Sequence, residues 1–291
     1  MSAAATYAAR VNDVLAQRTR LRGPQPPGDL FAYLPHDHPL LVGDPTGPLS
    51  PNLAQIAAYV EPDDVIIDVG GGAGRMSLPL AFRCRELINV DPSVAMGAGF
   101  TSTAARAGIA NVRFIHGVWP LEDTPEGDLA LVNHVTYLVD DIVSFLLALE
   151  KCARRRVLLT VNSPPPPTFN RQLYRLIHGE EENPIPGHGE LAAVLWEMGR
   201  LPDIRVLSAA TVIPTPPLPN RDAALQYALI RFSGEQWAFW PMAPELATHA
   251  RQVLEAEFDT LFAATREGFA PCWQSAGREI LLTWETNGQG A

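Results

Sequence analysis

Cysteine is scarce: Cys84, Cys152 and Cys272 are the whole complement of 291 residues, they lie far apart, and no two form a C-x-x-C pair. That spacing gives no hint of a disulfide framework or a zinc site, and a reducing, cytoplasmic location is expected. Long apolar runs are missing as well. None approaches the ~20 residues that span a bilayer, so no membrane partner is expected. The stretch MSAAATYAARVNDVLAQRTRLR has no basic start followed by an apolar block, which argues against a secretory signal. Basic residues are outnumbered, 22 Lys and Arg against 32 Asp and Glu, for a formal net charge of −10. A nucleic-acid partner is gripped through Lys and Arg at its phosphates, and this balance disfavours one. The densest basic cluster, Arg154, Arg155 and Arg156, precedes an apolar strand and reads as a solvated cap at the foot of a sheet.

What is present is core-forming material, 47% hydrophobic and only 19% charged residues, the composition of a globular chain. Apolar runs at Val65–Val69, Leu87–Val90, Val112–Ile115, Leu129–Val132 and Val157–Val161 lack polar alternation, as strands buried on both faces do. Between them, Ser93 to Gly108 is alanine-rich and helical, and Ile142, Phe145, Leu146 and Leu149 fall on one helix face. This alternation predicts a doubly wound α/β sheet. The regularity stops at Ser163-Pro-Pro-Pro-Pro-Thr168, an extended loop. Beyond it, helices are expected at Phe169–Ile177, over Leu191, Val194, Leu195 and Met198, at Arg221–Phe232 and at Pro244–Phe262. Strands are expected at Ile204–Leu207 and Glu279–Trp284. Three regions follow: an N-terminal helical or lid segment, 1–50; a cofactor-binding α/β core, 51–163; and 164–291, which completes the sheet and adds helical insertions on the substrate side.

The most informative stretch is VIIDVGGGAGRMSLPLA, beginning at Val65. A strand runs into Asp68, and Gly70, Gly71, Gly72 and Gly74 follow within seven positions. An apolar run, Met76, Leu78, Leu80 and Ala81, could then open a helix whose positive end serves the ligand. The second strand ends in Asp91, placed to accept both hydroxyls of a ribose. A glycine turn with a second-strand acid points to an adenosine ligand. A carboxylate just before the turn would repel a pyrophosphate but suits an ammonium or sulfonium group. S-adenosylmethionine therefore fits better than a nicotinamide dinucleotide.

Over residues 52–162 the chain resembles the class I S-adenosylmethionine-dependent methyltransferases, through DVGGGAG, LINVD and DLALVNHV. The resemblance implies a mostly parallel, seven-stranded Rossmann-like sheet with a final reversed strand, supplied by Glu279–Trp284. It also implies a glycine loop of Asp68, Gly70, Gly71, Gly72 and Gly74 around the methionine part of S-adenosylmethionine, and Asp91 with Pro92 at the ribose. Gly117, Val118 and Trp119 would meet the adenine, and Asn133 with His134 would face the methyl group. Where the family often carries an acid after the third strand, this chain has Val118, so backbone groups or Glu122 would substitute.

His134 is the best-placed general base, should the acceptor carry a proton to remove; a histidine satisfied by backbone and lining the cleft is the simpler reading. Tyr137 and Asp140 follow on the same edge, with helix capping an equal explanation for Asp140, and His116 reads as structural. Substrate-side candidates are Tyr33, His38, Tyr137 and His178, with Phe31 and His36 nearby. The loop HGEEENPIPGHGE, with His178, Glu180, Glu181, Glu182, His188 and Glu190, has irregular spacing and reads as solvated; no metal is expected. A small-molecule acceptor is expected, its reacting atom open among O, N, C and S. A cofactor-binding protein without transfer activity and a nicotinamide-type oxidoreductase remain the alternatives.

Overall fold

The computed structural model describes residues 1–24, 27–29, 31, 43–165, 169–211, 215–233, 242–273 and 277–286. In chain order the elements are α1 (Ala3–Arg22), α2 (Pro51–Ala57), β1 (Val65–Val69), α3 (Leu78–Ala81), β2 (Glu86–Asp91), α4 (Val94–Arg106), β3 (Val112–His116), β4 (Gly127–Asn133), α5 (Ile142–Cys152) and β5 (Ala153–Ser163). There follow α6 (Arg171–His178), α7 (His188–Glu197), β6 (Asp203–Thr211), α8 (Arg221–Ser233), α9 (Pro244–Ala256), α10 (Phe258–Leu261), β7 (Phe262–Thr265), β8 (Gly268–Pro271) and β9 (Gly277–Glu285). Seven strands make one sheet in the order β3-β2-β1-β4-β5-β9-β6. The pairs β1–β2, β1–β4, β2–β3 and β4–β5 are parallel, and β9 is antiparallel to both its neighbours. Every apolar run read as a strand is one.

Because side chains alternate across a strand, the sheet sorts its residues between two cores. Val65, Ile67 and Val69, Ala130 and Val132, Val157, Leu159 and Val161, and Ile280, Leu282 and Trp284 face the layer of α1, α5 and α7. Ile66, Leu87, Leu129, Leu131, Leu158 and Leu281 face the other side, under α2, α3 and α4. A third apolar cluster joins α6, α8, α9 and α10 around Leu173, Tyr227, Phe258 and Trp273.

Several expectations are corrected. The helix after the glycine turn is a single turn, Leu78–Ala81, with no side-chain cap; six residues separate it from Gly71, so it offers no dipole to the loop. Asp141, not Asp140, caps α5, accepting from the Ser144 N–H at 3.2 Å. The segment read as helix through Phe262 breaks at Glu257, and Phe262 starts the unanticipated hairpin β7–β8. The N-terminal region begins as a core helix: Tyr7 and Val11 of α1 are fully buried, and the Tyr7 hydroxyl donates to the Thr136 carbonyl at 2.6 Å. Farther along, Asp29 reaches the carboxyl edge of the sheet, accepting from Ser93 Oγ at 2.9 Å and the Ala95 N–H at 3.0 Å.

Leu159 is fully buried in β5, between β4 and β9. Leu159→Ala is expected to cost about 2–5 kcal/mol. Leu201→Ala, at a side chain 86% exposed, should change stability by no more than about 0.5 kcal/mol. Urea unfolding of both variants checks the contrast.

Candidate cofactor and active site

One face of the sheet, the face of α2, α3 and α4, turns polar at its carboxyl edge. On β2, β1, β4, β5 and β9 the residues in phase with the apolar Leu87, Ile66, Leu131, Leu158 and Leu281 are Asn89, Asp68, Asn133, Thr160 with Asn162, and Glu279. Register aligns them: Asp68 sits opposite Asn89, Asn133 opposite Thr160, and Asn162 opposite Glu279. Here, too, buried polar atoms go without hydrogen bonds: both Asp68 carboxylate oxygens, Ser77 Oγ, Asn89 Oδ1, Asn133 Nδ2 and Glu279 Oε1. Each such atom costs about 1–3 kcal/mol, so their gathering in one trough marks a place built for something other than stability.

The glycine loop is pinned over the β1–β2 end of this trough. Gly70 N donates to the Val90 carbonyl at 2.8 Å, Gly72 N to Asp91 Oδ2 at 2.9 Å, and Asn89 Nδ2 to the Gly72 carbonyl at 2.8 Å. Gly71 lies directly on Asp68; a Cβ there would stand 2.0 Å from Asp68 Oδ2 and 2.7 Å from Asn89 Oδ1. Gly72 is the contrary case. Its φ is +55°, and a Cβ would meet only the Met96 sulfur, at 3.7 Å, so its backbone fronts open space. Gly70 and Gly74 leave room for Val135 and for Leu78 with Phe100.

Asp68 is 1% exposed. Burial pushes its carboxyl up to about 7, against a lowering by nearby Ser77 and a further rise from Asp91; Ser77 is a neighbour, since neither partner's oxygen has a completed hydrogen bond. The acid read as a forward-facing charge thus lies beneath the loop and titrates near neutrality. Asp91 accepts from Gly72 N and, through Oδ1, from Ser93 N at 2.8 Å. Burial raises its carboxyl more than those two bonds lower it, and Asp29 adds to the rise.

At the other end, His134 is the only non-glycine with positive φ, +60°, among the described residues. Its N–H donates to the Thr160 carbonyl at 2.9 Å, and its Nδ1 faces the Tyr137 hydroxyl at 3.2 Å and Asn162 Nδ2 at 3.5 Å. Its Nε2 lies 2.8 Å from Glu279 Oε1, a charge contact without hydrogen-bond alignment, which is why Oε1 still counts as unpartnered. Glu279 Oε2 accepts from Asn52 Nδ2 of α2 at 2.8 Å. Burial pushes Glu279 up, but His134, Asn52 and Thr160 outweigh it and hold the carboxyl below its usual range. Tyr137 accepts from the Asn162 N–H at 2.7 Å, and burial keeps its phenol protonated.

No family model matches the chain. An uncharacterised protein of Haemophilus influenzae is 30% identical over 122 residues, 41% of this chain and 44% of its own length. The 23S rRNA (uracil(1939)-C(5))-methyltransferase RlmD of Aeromonas salmonicida is 38% identical over 71 residues, 23% of this chain and 16% of its own. The chain thus spans less than half the length of either curated relative. Among solved structures, a candidate methyltransferase of Bacillus halodurans superposes with a TM-score of 0.54 at 12% identity, over 81% of this chain and 97% of that one. YcgJ of Bacillus subtilis gives 0.50 at 18% identity, over 80% and 96%. The chain has the class I methyltransferase fold. Its reversed strand, β9, is the one expected from the sequence, and it also delivers Glu279.

The class I fold brings Asp68, Gly70, Gly71, Gly72, Gly74 and Asp91 together around one loop, and Asn133, His134 and Tyr137 at the end of β4. Pro92 joins the first group by its carbonyl, 2.9 Å from His116 Nε2. Gly117 N donates to the Asp91 carbonyl at 3.1 Å. Val118 is 73% exposed, while Trp119 is turned to α5, donating to the Phe145 carbonyl at 3.3 Å. His178 stands apart, packed on Tyr174 and Phe232; burial and the Arg22 charge push it down to about 4, so it is neutral at pH 7. The glutamates of its loop are tied to arginines: Glu180 to Arg20, Glu181 to Arg171 and Arg175, Glu182 to Arg18, Glu190 to Arg10. Among the described residues no cluster of three or more metal-ligating side chains occurs. Tyr33, His36, His38, Pro166 and Pro167 lie outside the described residues. Asn89, Asn52, Asn162, Asp29 and Glu279 were missed by sequence reasoning.

Asp68 also makes a pH prediction. Its carboxyl is raised in the folded protein from an ordinary value of 3.8 to about 7, so folding takes up a proton between those limits. Its contribution is fully present below about pH 4 and is lost as pH rises through 7. Asp68→Asn should remove that slope, and wild type minus variant stability, from urea unfolding at pH 4.5 and 7.5, measures it.

Proposed function

We propose that the protein transfers a methyl group from S-adenosylmethionine to a small-molecule acceptor. The observation that carries this is the clamp of Asp91 and Asn89 on Gly72, which turns bare, open backbone and a strand-end carboxylate toward the same space. Each Asp91 oxygen already accepts one N–H, which leaves each a lone pair for one of two ribose hydroxyls. The loop from Gly70 to Gly74 would hold the methionine part, with Asp68 behind it as a reserve of negative charge under a cationic group. When bound, the group supplies a methyl already activated on a sulfonium. The protein's own task is alignment, worth up to about 7–11 kcal/mol in favourable models.

A dinucleotide is supported less well. Its pyrophosphate wants a helix N-terminus directly behind the glycines, and here a single turn begins only at Leu78. For the acceptor, a net charge of −10 speaks for a small molecule over a polyanion, although one partial relative acts on ribosomal RNA.

Calorimetric titration with S-adenosylmethionine, S-adenosylhomocysteine and NAD tests the reading: micromolar binding of the first two and none of the third is expected. Asp91→Ala should lose about 1–3 kcal/mol of that affinity. Gly72→Val should abolish binding while the chain stays folded, with a backbone cost of about 1–2 kcal/mol at its positive φ. NAD binding, or unaltered affinity in both variants, would overturn the assignment.

A further inference from the structure

We infer that α1, α6 and α8 enclose an anion site beyond the carboxyl edge of the sheet, built by Arg18, Arg22, Tyr174 and His178, that takes a carboxylate. The inference goes beyond the methyltransferase reading and does not depend on it.

The place follows from topology. β6 runs parallel to β5, since each is antiparallel to β9, and α7 leads into β6, so the N-terminal end of α7 lies at the carboxyl edge. α1 runs against α7: the Ala3 N–H donates to Glu197 at 2.7 Å, and Arg10 pairs with Glu190. From Arg10 the helix continues to Arg18, about 12 Å farther along its axis. The end of α1 thus projects past the edge, on the side where an open α/β sheet binds its ligands.

Two buried polar atoms here have no partner: Tyr174 Oη, on a residue 6% exposed, and His178 Nε2. Their rings meet edge to face, centroids 4.6 Å apart, and His178 packs in turn on Phe232 at 5.1 Å. Over the Phe232 ring stands the Arg22 guanidinium, 5.2 Å from its centroid, donating to the Phe232 and Ser233 carbonyls. Arg18 is the anomaly. Its side chain is 11% exposed, yet among the described residues its guanidinium makes no hydrogen bond; Glu182 stands 3.9 Å away, out of reach for one. Arginines in the last turn of a helix often answer its free carbonyls, but Arg18 lies a turn earlier and answers none.

The cluster is a surplus of donors: a guanidinium with five N–H groups, a phenol and a neutral imidazole. Burial raises the Tyr174 phenol to about 12, Glu182 and Glu180 add to the rise, and Arg22 and Arg18 oppose it, so the hydroxyl keeps its proton. Charge decides the ligand. Glu180 answers Arg20, Glu182 answers one of Arg18 and Arg22, and one positive charge is left over. His249, which also faces His178, is engaged by the Ile177 carbonyl at 3.0 Å. One surplus charge and a planar guanidinium fork match a carboxylate better than a phosphate dianion. The rings of Tyr174, His178 and Phe232 suit an aromatic body behind it.

The test is calorimetric titration of the full chain with benzoate, with benzamide as its uncharged counterpart and inorganic phosphate as the competing anion. Benzoate should bind, and benzamide and phosphate at least about tenfold more weakly. Tyr174→Phe should weaken benzoate at least about tenfold and leave stability to urea unchanged or higher, because the hydroxyl it removes has no partner in the free protein. Arg18→Met should weaken benzoate likewise, and Arg18→Lys should not restore it. Saturating S-adenosylhomocysteine should leave benzoate affinity within about twofold, as separate sites require. No benzoate binding, equal binding of benzamide, or tighter binding of phosphate would overturn the carboxylate site. So would competition by S-adenosylhomocysteine, which would put benzoate in the trough, or a Tyr174→Phe variant that loses stability and keeps its affinity. Failure of S-adenosylhomocysteine to bind would overturn the methyltransferase reading and leave this site standing on the other results.

Discussion

A strand buried on both faces offers no water to a polar side chain, and that constraint governs the carboxyl edge of this sheet. Asp68, Asn89, Thr160, Asn162 and Glu279 are all nearly inaccessible, and each must find a partner or bear the desolvation cost. Some partners come from the strands themselves, as Thr160 Oγ1 donates to Asn133 Oδ1 at 2.9 Å. Others are recruited: Asn89 and Asp91 hold down the glycine loop, and Glu279 and Asn52 bring β9 and α2 against His134. The loop and the strained histidine are thus both consequences of polar groups on interior strands. The apolar layers on the two faces bear the cost.

The strands were legible because parallel, doubly covered strands need uninterrupted apolar runs, and β1, β2, β4 and β5 carry them plainly; β3, expected to be buried likewise, is instead an edge strand with no residue buried. The loop was legible because its glycines and the two acids are local in sequence. The length of α3 was not: Leu78, Leu80 and Ala81 look like the start of an amphipathic helix, yet the chain leaves it at Phe82 and enters β2 at Glu86. The hairpin after Phe262 was hidden for a similar reason. Phe258, Leu261 and Phe262 keep a helical spacing, and all three bury their side chains in the third cluster although Phe262 is already strand. Glu279 was the hardest to see. It lies 145 residues after His134, and only the antiparallel register of β9 on β5, Asn162 opposite Glu279, makes them neighbours. No local spacing encodes that pairing.

The acidic loop after α6 illustrates how composition misleads in the opposite sense. Glu180, Glu181, Glu182 and Glu190 resemble a metal-binding cluster on paper, but α1 and α6 present arginines that answer each one. Most of these pairs are substantially exposed, and solvent screening leaves them little weight in stability. Arg18 with Glu182 is the exception, both side chains only 11% exposed at a 3.9 Å separation. There burial lowers the arginine and raises the glutamate, so the pair specifies how α1 lies on the loop more than it stabilises the contact.

The N-terminal segment closes the argument between the two ends of the site. Asp29 accepts from Ser93 Oγ and the Ala95 N–H, at the first turn of the 13-residue helix α4, and so stands close to Asp91. Burial is the largest single influence and disfavours its charge, but the bonds from Ala95, Ser93, Phe31 and Val94 together outweigh it and keep the carboxyl below its usual range. Two carboxylates brought together would repel, and the positive end of α4 is what makes their approach tolerable. The tether therefore draws on the same backbone dipoles that favour a carboxylate at Asp91. Asp29 itself is held at this edge by hydrogen bonds and by the helix end. Its grip should weaken with salt and with protonation of Asp29, while the sheet beneath it, fixed by apolar burial, stays as it is.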